Sequence, residues 1–124
     1  MIRGNTLVSI DVTTYYDLGE MLSKSKSAKA KLQLIYSDQV LKDSNKYAPL
    51  RDGFLIASGF THSNLSTGML KWQTPYARRL YYNPQYNFST DKNPLAGGLW
   101  FERAKKQHKS DWEGLVKRGY KRFF

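Results

Sequence analysis

From Leu99 onward, Trp100 with Phe101, Ala104, His108, Trp112, and Leu115 with Val116 recur at steps of three and four. That spacing lays an aromatic stripe along one side of a helix, and such a stripe has to be buried against another element. It predicts a C-terminal helix over 99–118, with a tail over 119–124. Ser110-Asp111-Trp112-Glu113 is a capping-box pattern and marks either a kink or a second helix start. A second helical stretch, 27–45, is rich in Ala, Leu, Lys and Gln. Its face is expected to carry Ala28, Leu32, Ile35 and Tyr36, widened by Leu34 and Leu41. Pro49 closes it, because the residue before a proline is pushed out of the helical region.

Between these helices the period changes to two. After an Arg51-Asp52-Gly53 turn, Phe54, Ile56 and Phe60 alternate with Leu55, Ala57 and Gly59. A polar loop follows, and then Met69 to Thr74 alternates with Leu70 and Trp72 inward. Two alternating runs around a polar loop predict a hairpin over 54–74. Tyr76 to Tyr82 reads as either a third strand or a short helix. Asn83–Gly98, with two Asn-Pro pairs and Gly97-Gly98, reads as a long loop. At the other end, 1–16 is a strand or extended arm around Leu7–Thr13. Asp17 to Leu22 is a short helical turn capped by Asp17 and Glu20. The expected fold is α+β: one domain over 1–124, a small antiparallel sheet with a central hairpin, and the two main helices packed on one face.

The 124 residues contain no cysteine, so disulfides and thiolate metal sites are excluded. Hydrophobic residues make up 40% of the chain and aromatics 15%, enough for a packed core without staples. No apolar run approaches the ~20 residues that span a bilayer, and no signal peptide is expected at the start. The formal net charge of +10 implies either an anionic partner or general solubility charge. From Leu99 to the end there are eight Lys or Arg against three Asp or Glu.

Chemistry for catalysis is not visible in the pattern. His62 and His108 are the two histidines, and neither has metal-ligand spacing. His62 falls in a polar loop, and His108 on an apolar helix face reads as packed and hydrogen-bonded. Asp38 and Asp43, flanked by lysines, read as a solvated face. Gly97-Gly98 reads as the start of a helix rather than a phosphate cradle. No catalytic residue, cofactor or metal is expected, and the chain reads as a non-enzyme.

Two runs mix cations with aromatics. Tyr76 to Tyr82 reads as core or interface packing or as a stacking surface. Lys117, Arg118, Tyr120, Lys121, Arg122, Phe123 and Phe124 read as a docking peptide or a phosphate-facing tail, unless they form only a frayed end. Arg78, Arg79, Lys105, Lys106 and Lys109 are the candidates for a DNA channel or an interface.

The middle of the chain resembles phage minor capsid and neck proteins. Tyr47 to Leu55, with Ala48, Pro49, Gly53 and Leu55, is similar to a first Ala-Pro…Gly-x-Leu signature at the end of a helix. Trp72 to Tyr82, with Pro75, Tyr76, Ala77, Tyr81 and Tyr82, looks like a second. Asp91 to Ala104, with Trp100, is similar to a third; together they run from about Ser37 to Lys109. The resemblance implies a structural protein of the head–tail junction of long-tailed phages, assembled in the host cytoplasm. It implies a sixfold or twelvefold ring of itself, bound to other neck and tail proteins and to no membrane. DNA would pass through the channel and be contacted without sequence preference. The alternative, from the residues themselves, is a small basic DNA-binding protein acting alone.

Overall fold

In the computed structural model, which describes residues 7–12, 26–50 and 53–123, a strand β1 (Leu7–Asp11) pairs antiparallel with β2 (Met69–Gln73). Val8 lies opposite Trp72 and Ile10 opposite Leu70. The period-two alternation therefore turns Val8, Ile10, Leu70 and Trp72 to one face and Ser9 and Asp11 to the other. Two strands are marginal alone, and helices cover the inner face.

Helix α1 (Lys26–Asn45) and helix α4 (Trp100–Phe123) pack along each other. They run antiparallel: Asp43 of α1 meets Trp112 of α4, and Leu32 lies against Gly119. α4 buries Trp100, Ala104, Trp112 and Val116, and α1 buries Leu32, Val40 and Leu41. The expected α1 face is only partly right. Leu34 and Ile35 are exposed, while Gln33, Ser37, Asp43, Ser44 and Asn45 are buried. The polar groups go inside because each has a partner there: Gln33 donates to Ser37 at 2.8 Å, and Ser44 donates to the Val40 carbonyl at 2.7 Å.

The expected hairpin over 54–74 is corrected. Residues Phe54–His62 form a helix, α2, and the strand that pairs with β2 is β1. α2 buries Leu55, Ser58 and Gly59, a spacing of three and four. Gly59 lets it lie on the sheet, since a Cβ there would stand 2.7 Å from Trp72 Nε1. Gly53 begins the helix with φ +86°, and its carbonyl accepts the Ala57 N–H at 2.9 Å. The antiparallel sheet and the α+β class stand. Tyr76 to Tyr82 resolves as a short helix, α3 (Ala77–Tyr81), and His62 ends α2, exposed, rather than lying in a loop.

α4 also differs from expectation. It continues through Ser110 and on to Phe123, so the expected tail over 119–124 is helical as far as it is described. Leu99, just before it, has φ +48°; its N–H donates to the Tyr81 carbonyl and its carbonyl accepts from Arg103, both at 2.9 Å. The Asp17–Glu20 cap, the Arg51-Asp52 pair and Phe124 lie outside the described residues. No helix among the described residues is long and apolar enough to cross a membrane.

Candidate functional site

The three signature segments meet in space. α1 ends in tight turns, with Tyr47 N–H on the Ser44 carbonyl at 3.0 Å and Ala48 fully buried. The loop 83–98 closes over that turn. Asn93 donates to the carbonyls of Lys46 and Ala48 at 2.9 and 2.8 Å, and Gly97 N–H donates to the Tyr47 carbonyl at 3.1 Å. Arg103 joins in from α4, donating to the Tyr47 and Leu95 carbonyls with its guanidinium over the Tyr47 ring. A loop rich in Pro, Asn and Gly is thus tied down at its second half by the carbonyls of the turn that follows α1.

The second signature supplies the aromatic centre. Tyr81 and Trp100, both fully buried, meet edge to face at 4.6 Å, and Trp100 meets Trp72 at 5.8 Å. Tyr81 Oη donates to Glu102. Burial raises the Glu102 carboxyl above its ordinary range, against the Lys105 charge. Gly98 fits only as glycine, since a Cβ would stand 2.8 Å from the Leu80 carbonyl oxygen. Ala77 and Leu55 are also buried, whereas Pro75 and Tyr82 are exposed. Pro49, Leu50, Leu55, Tyr76, Leu80 and Phe88 line an open groove of about 540 Å³ rimmed by Arg79, Asp91 and Lys92. Beside Leu55, α2 presents Phe54 and Phe60, 67% and 52% exposed.

Two of the three indole N–H groups find polar partners on α1, and the buried Trp100 Nε1 has none among the described residues. Trp72 Nε1 donates to Asn45 Oδ1 at 2.9 Å, and Trp112 Nε1 donates to Asp43 Oδ2 at 2.7 Å. Asp43 is buried, which corrects its reading as part of a solvated face; Asp38 remains at the surface, paired with Lys42 at 2.8 Å. Burial pushes the Asp43 carboxyl up. The hydrogen bonds from Trp112, Lys46 and Gln39 and the Lys46 charge outweigh it, and the group is held below the ordinary carboxylate range. His108 sits between Tyr47 and Trp112, with Nε2 3.3 Å from Tyr47 Oη and Nδ1 3.4 Å from Asp111. Among the described residues no three His, Cys, Asp or Glu come together as a metal site.

Residues 12–120 match the family of the minor capsid protein. The chain belongs to this phage family. The match reaches beyond the signature segments on both sides and takes in most of α4. Membership makes this a structural protein of the virion. No curated protein and no solved structure matches the chain.

The basic residues singled out as channel or docking candidates in this minor capsid protein fall into two places. Arg78 and Arg79 are exposed on α3; Arg78 lies over the Tyr82 ring at 4.9 Å and Arg79 rims the groove. Lys105, Lys106, Lys109, Lys117, Arg118, Lys121 and Arg122 are all exposed on α4. The helix therefore joins two sets that the sequence separates, the channel candidates and the docking tail. Tyr120 does not extend from a free tail: it packs half-buried on a small cluster of Leu32, Val116 and Tyr36. The Phe123 side chain lies outside the described residues. The roles of Asp43 and Asn45 escape sequence reasoning, because nothing local distinguishes a buried Asp or Asn from a surface one, and the signature segment that holds Asn93 and Arg103 does not show what they bind.

Proposed function

We propose that this virion protein is a subunit of the phage neck, joining head to tail as a member of a ring around the DNA channel. What supports it, beyond the family, is one observation: two unlike surfaces lie on separate elements. One is apolar, made by the signature groove and the outer side of α2. The other is the basic face of α4. A closed ring needs a heterologous interface, one patch meeting a different patch on the next copy, and a subunit at the channel also faces DNA. Its partners on this reading are further copies, sixfold or twelvefold, neighbouring neck and tail proteins, and DNA. The signature residues build the scaffold, and no turnover is assigned to any side chain.

The basic face also supports a second reading, a DNA-binding protein that acts alone. Native mass measurement of the purified chain, with and without neck extract, separates the two. A closed ring or a partner-dependent assembly favours the neck; a monomer that binds DNA and joins no assembly favours the second reading.

A further inference from the structure

We infer that the exposed side of α4 is the surface that holds duplex DNA, gripping the phosphate backbone without reading sequence. The inference rests on the proposed place beside the channel and names the residues that face it.

Each residue turns an α-helix by about 100°, so a step of four drifts by about 40° and a step of eleven by about 20°. Lys106, Lys109, Lys117 and Lys121 therefore fall within an arc of about 120° on the outer side of α4, with Ser110 and Glu113 inside it, and Lys105, Arg118 and Arg122 flank it. Trp100, Ala104, Trp112 and Val116, which face α1 and the core, lie outside that arc. At 1.5 Å per residue, the cations extend over about 25 Å of helix. They fall in two groups, 105–109 and 117–122, with centres about 18 Å apart by the same rise. That separation exceeds the ~12 Å width of the major groove, so the groups can reach phosphates on its two edges.

Intramolecular neutralisation is slight. Glu102 accepts from Tyr81 and lies near Lys105 outside the arc, Asp111 stands beside His108, and Glu113 is the acid within the arc. Among the described residues no salt bridge forms to Lys105, Lys106, Lys109, Lys117, Arg118 or Lys121.

An acidic protein is the poorer fit. Protein interfaces are depleted in Lys and are anchored by buried aromatic or aliphatic side chains, and the exposed side chains of this arc include none. An anionic bilayer fits worse still, because an interfacial helix needs its apolar side free to insert, and that side of α4 is spent on the core. A lysine-rich surface without apolar anchors matches backbone contact driven by counterion release.

The test is binding of the full chain to a short duplex, followed by fluorescence anisotropy over a range of salt. Changing Lys106, Lys109, Lys117 and Lys121 to Gln should weaken binding about tenfold or more and lower the slope of log K against log salt by about three to four. A control with Lys31, Lys42, Lys71 and Lys92 changed to Gln has the same net charge and should bind within about threefold of the parent. Changing the four α4 lysines to Arg should keep the affinity, and a scrambled duplex should bind equally. Equal losses in the stripe variant and the control would mean that total charge, not this face, does the binding, and would overturn the inference. So would poly-glutamate of matched charge competing as well as duplex, which would point to an acidic protein. Normal affinity in the stripe variant overturns it whatever happens to head–tail joining, so it can fail while the neck reading stands.

Discussion

Over its first half α4 lies against the main core: Trp100 contacts Trp72 and Tyr81, Trp112 donates to Asp43, and Arg103 clamps the loop to the end of α1. Over its last half it meets a small cluster of Leu32, Tyr36, Val116 and Tyr120. The first half thus combines aromatic burial with polar partners fixed by hydrogen bonds, and the second is held by a thin apolar seam. All three signatures fall around the first half. The contrast places most of the stability in the first half, while exposed cations lie along both.

The largest effect should come from the first half. Trp100→Ala empties the centre of the aromatic cluster and should cost about 3–5 kcal/mol; urea unfolding of the whole domain checks it. A loss under about 1 kcal/mol would break the comparison.

Asp43→Asn comes next, at about 1–3 kcal/mol, because the charged acceptor of Trp112 and Lys46 is lost. The carboxyl is lowered in the folded state. Its stabilisation is therefore complete above the unfolded carboxylate value near pH ~4 and fades as pH falls through the folded one. The wild type should lose stability on that acid side more steeply than Asp43→Asn, as unfolding at a series of pH values will show. Parallel curves would mean that Asp43 is not held in this way.

Val116→Ala, in the thin seam, should cost about 1–2 kcal/mol. Its mark is local: hydrogen exchange should speed up in the last turns of α4 while the turns near Trp100 stay protected. Uniform loss of protection would show that the two halves are one cooperative unit. Smallest of all, the four α4 lysines changed to Gln should shift stability by no more than about 0.5 kcal/mol, measured by the same urea titration.

The same division governs what could be read without coordinates. The long helices announce themselves, since 27–45 is observed as Lys26–Asn45, and the four-residue recurrence of Trp100, Ala104, Trp112 and Val116 is the buried side of α4. Leu70 and Trp72 alternate as they pack. The middle misleads because α2 turns its small residues inward. Ser58 and Gly59 are buried against the sheet while Phe54 and Phe60 face out, so hydropathy points to the wrong side and suggests a strand. A short apolar run carries too few turns for its period to decide. The basic residues were visible one by one. Their union on one continuous helix was not, because Gly119 looks like a helix end, yet it lies within α4 where a Cβ would collide with Leu32.

The central claim, a structural subunit at the junction of head and tail, is tested most directly by imaging the intact particle with this subunit located in it. The account predicts density for the chain in a ring between portal and tail tube, with α4 toward the channel. Density on the capsid faces or at the tail tip, or α4 turned away from the channel, would contradict it.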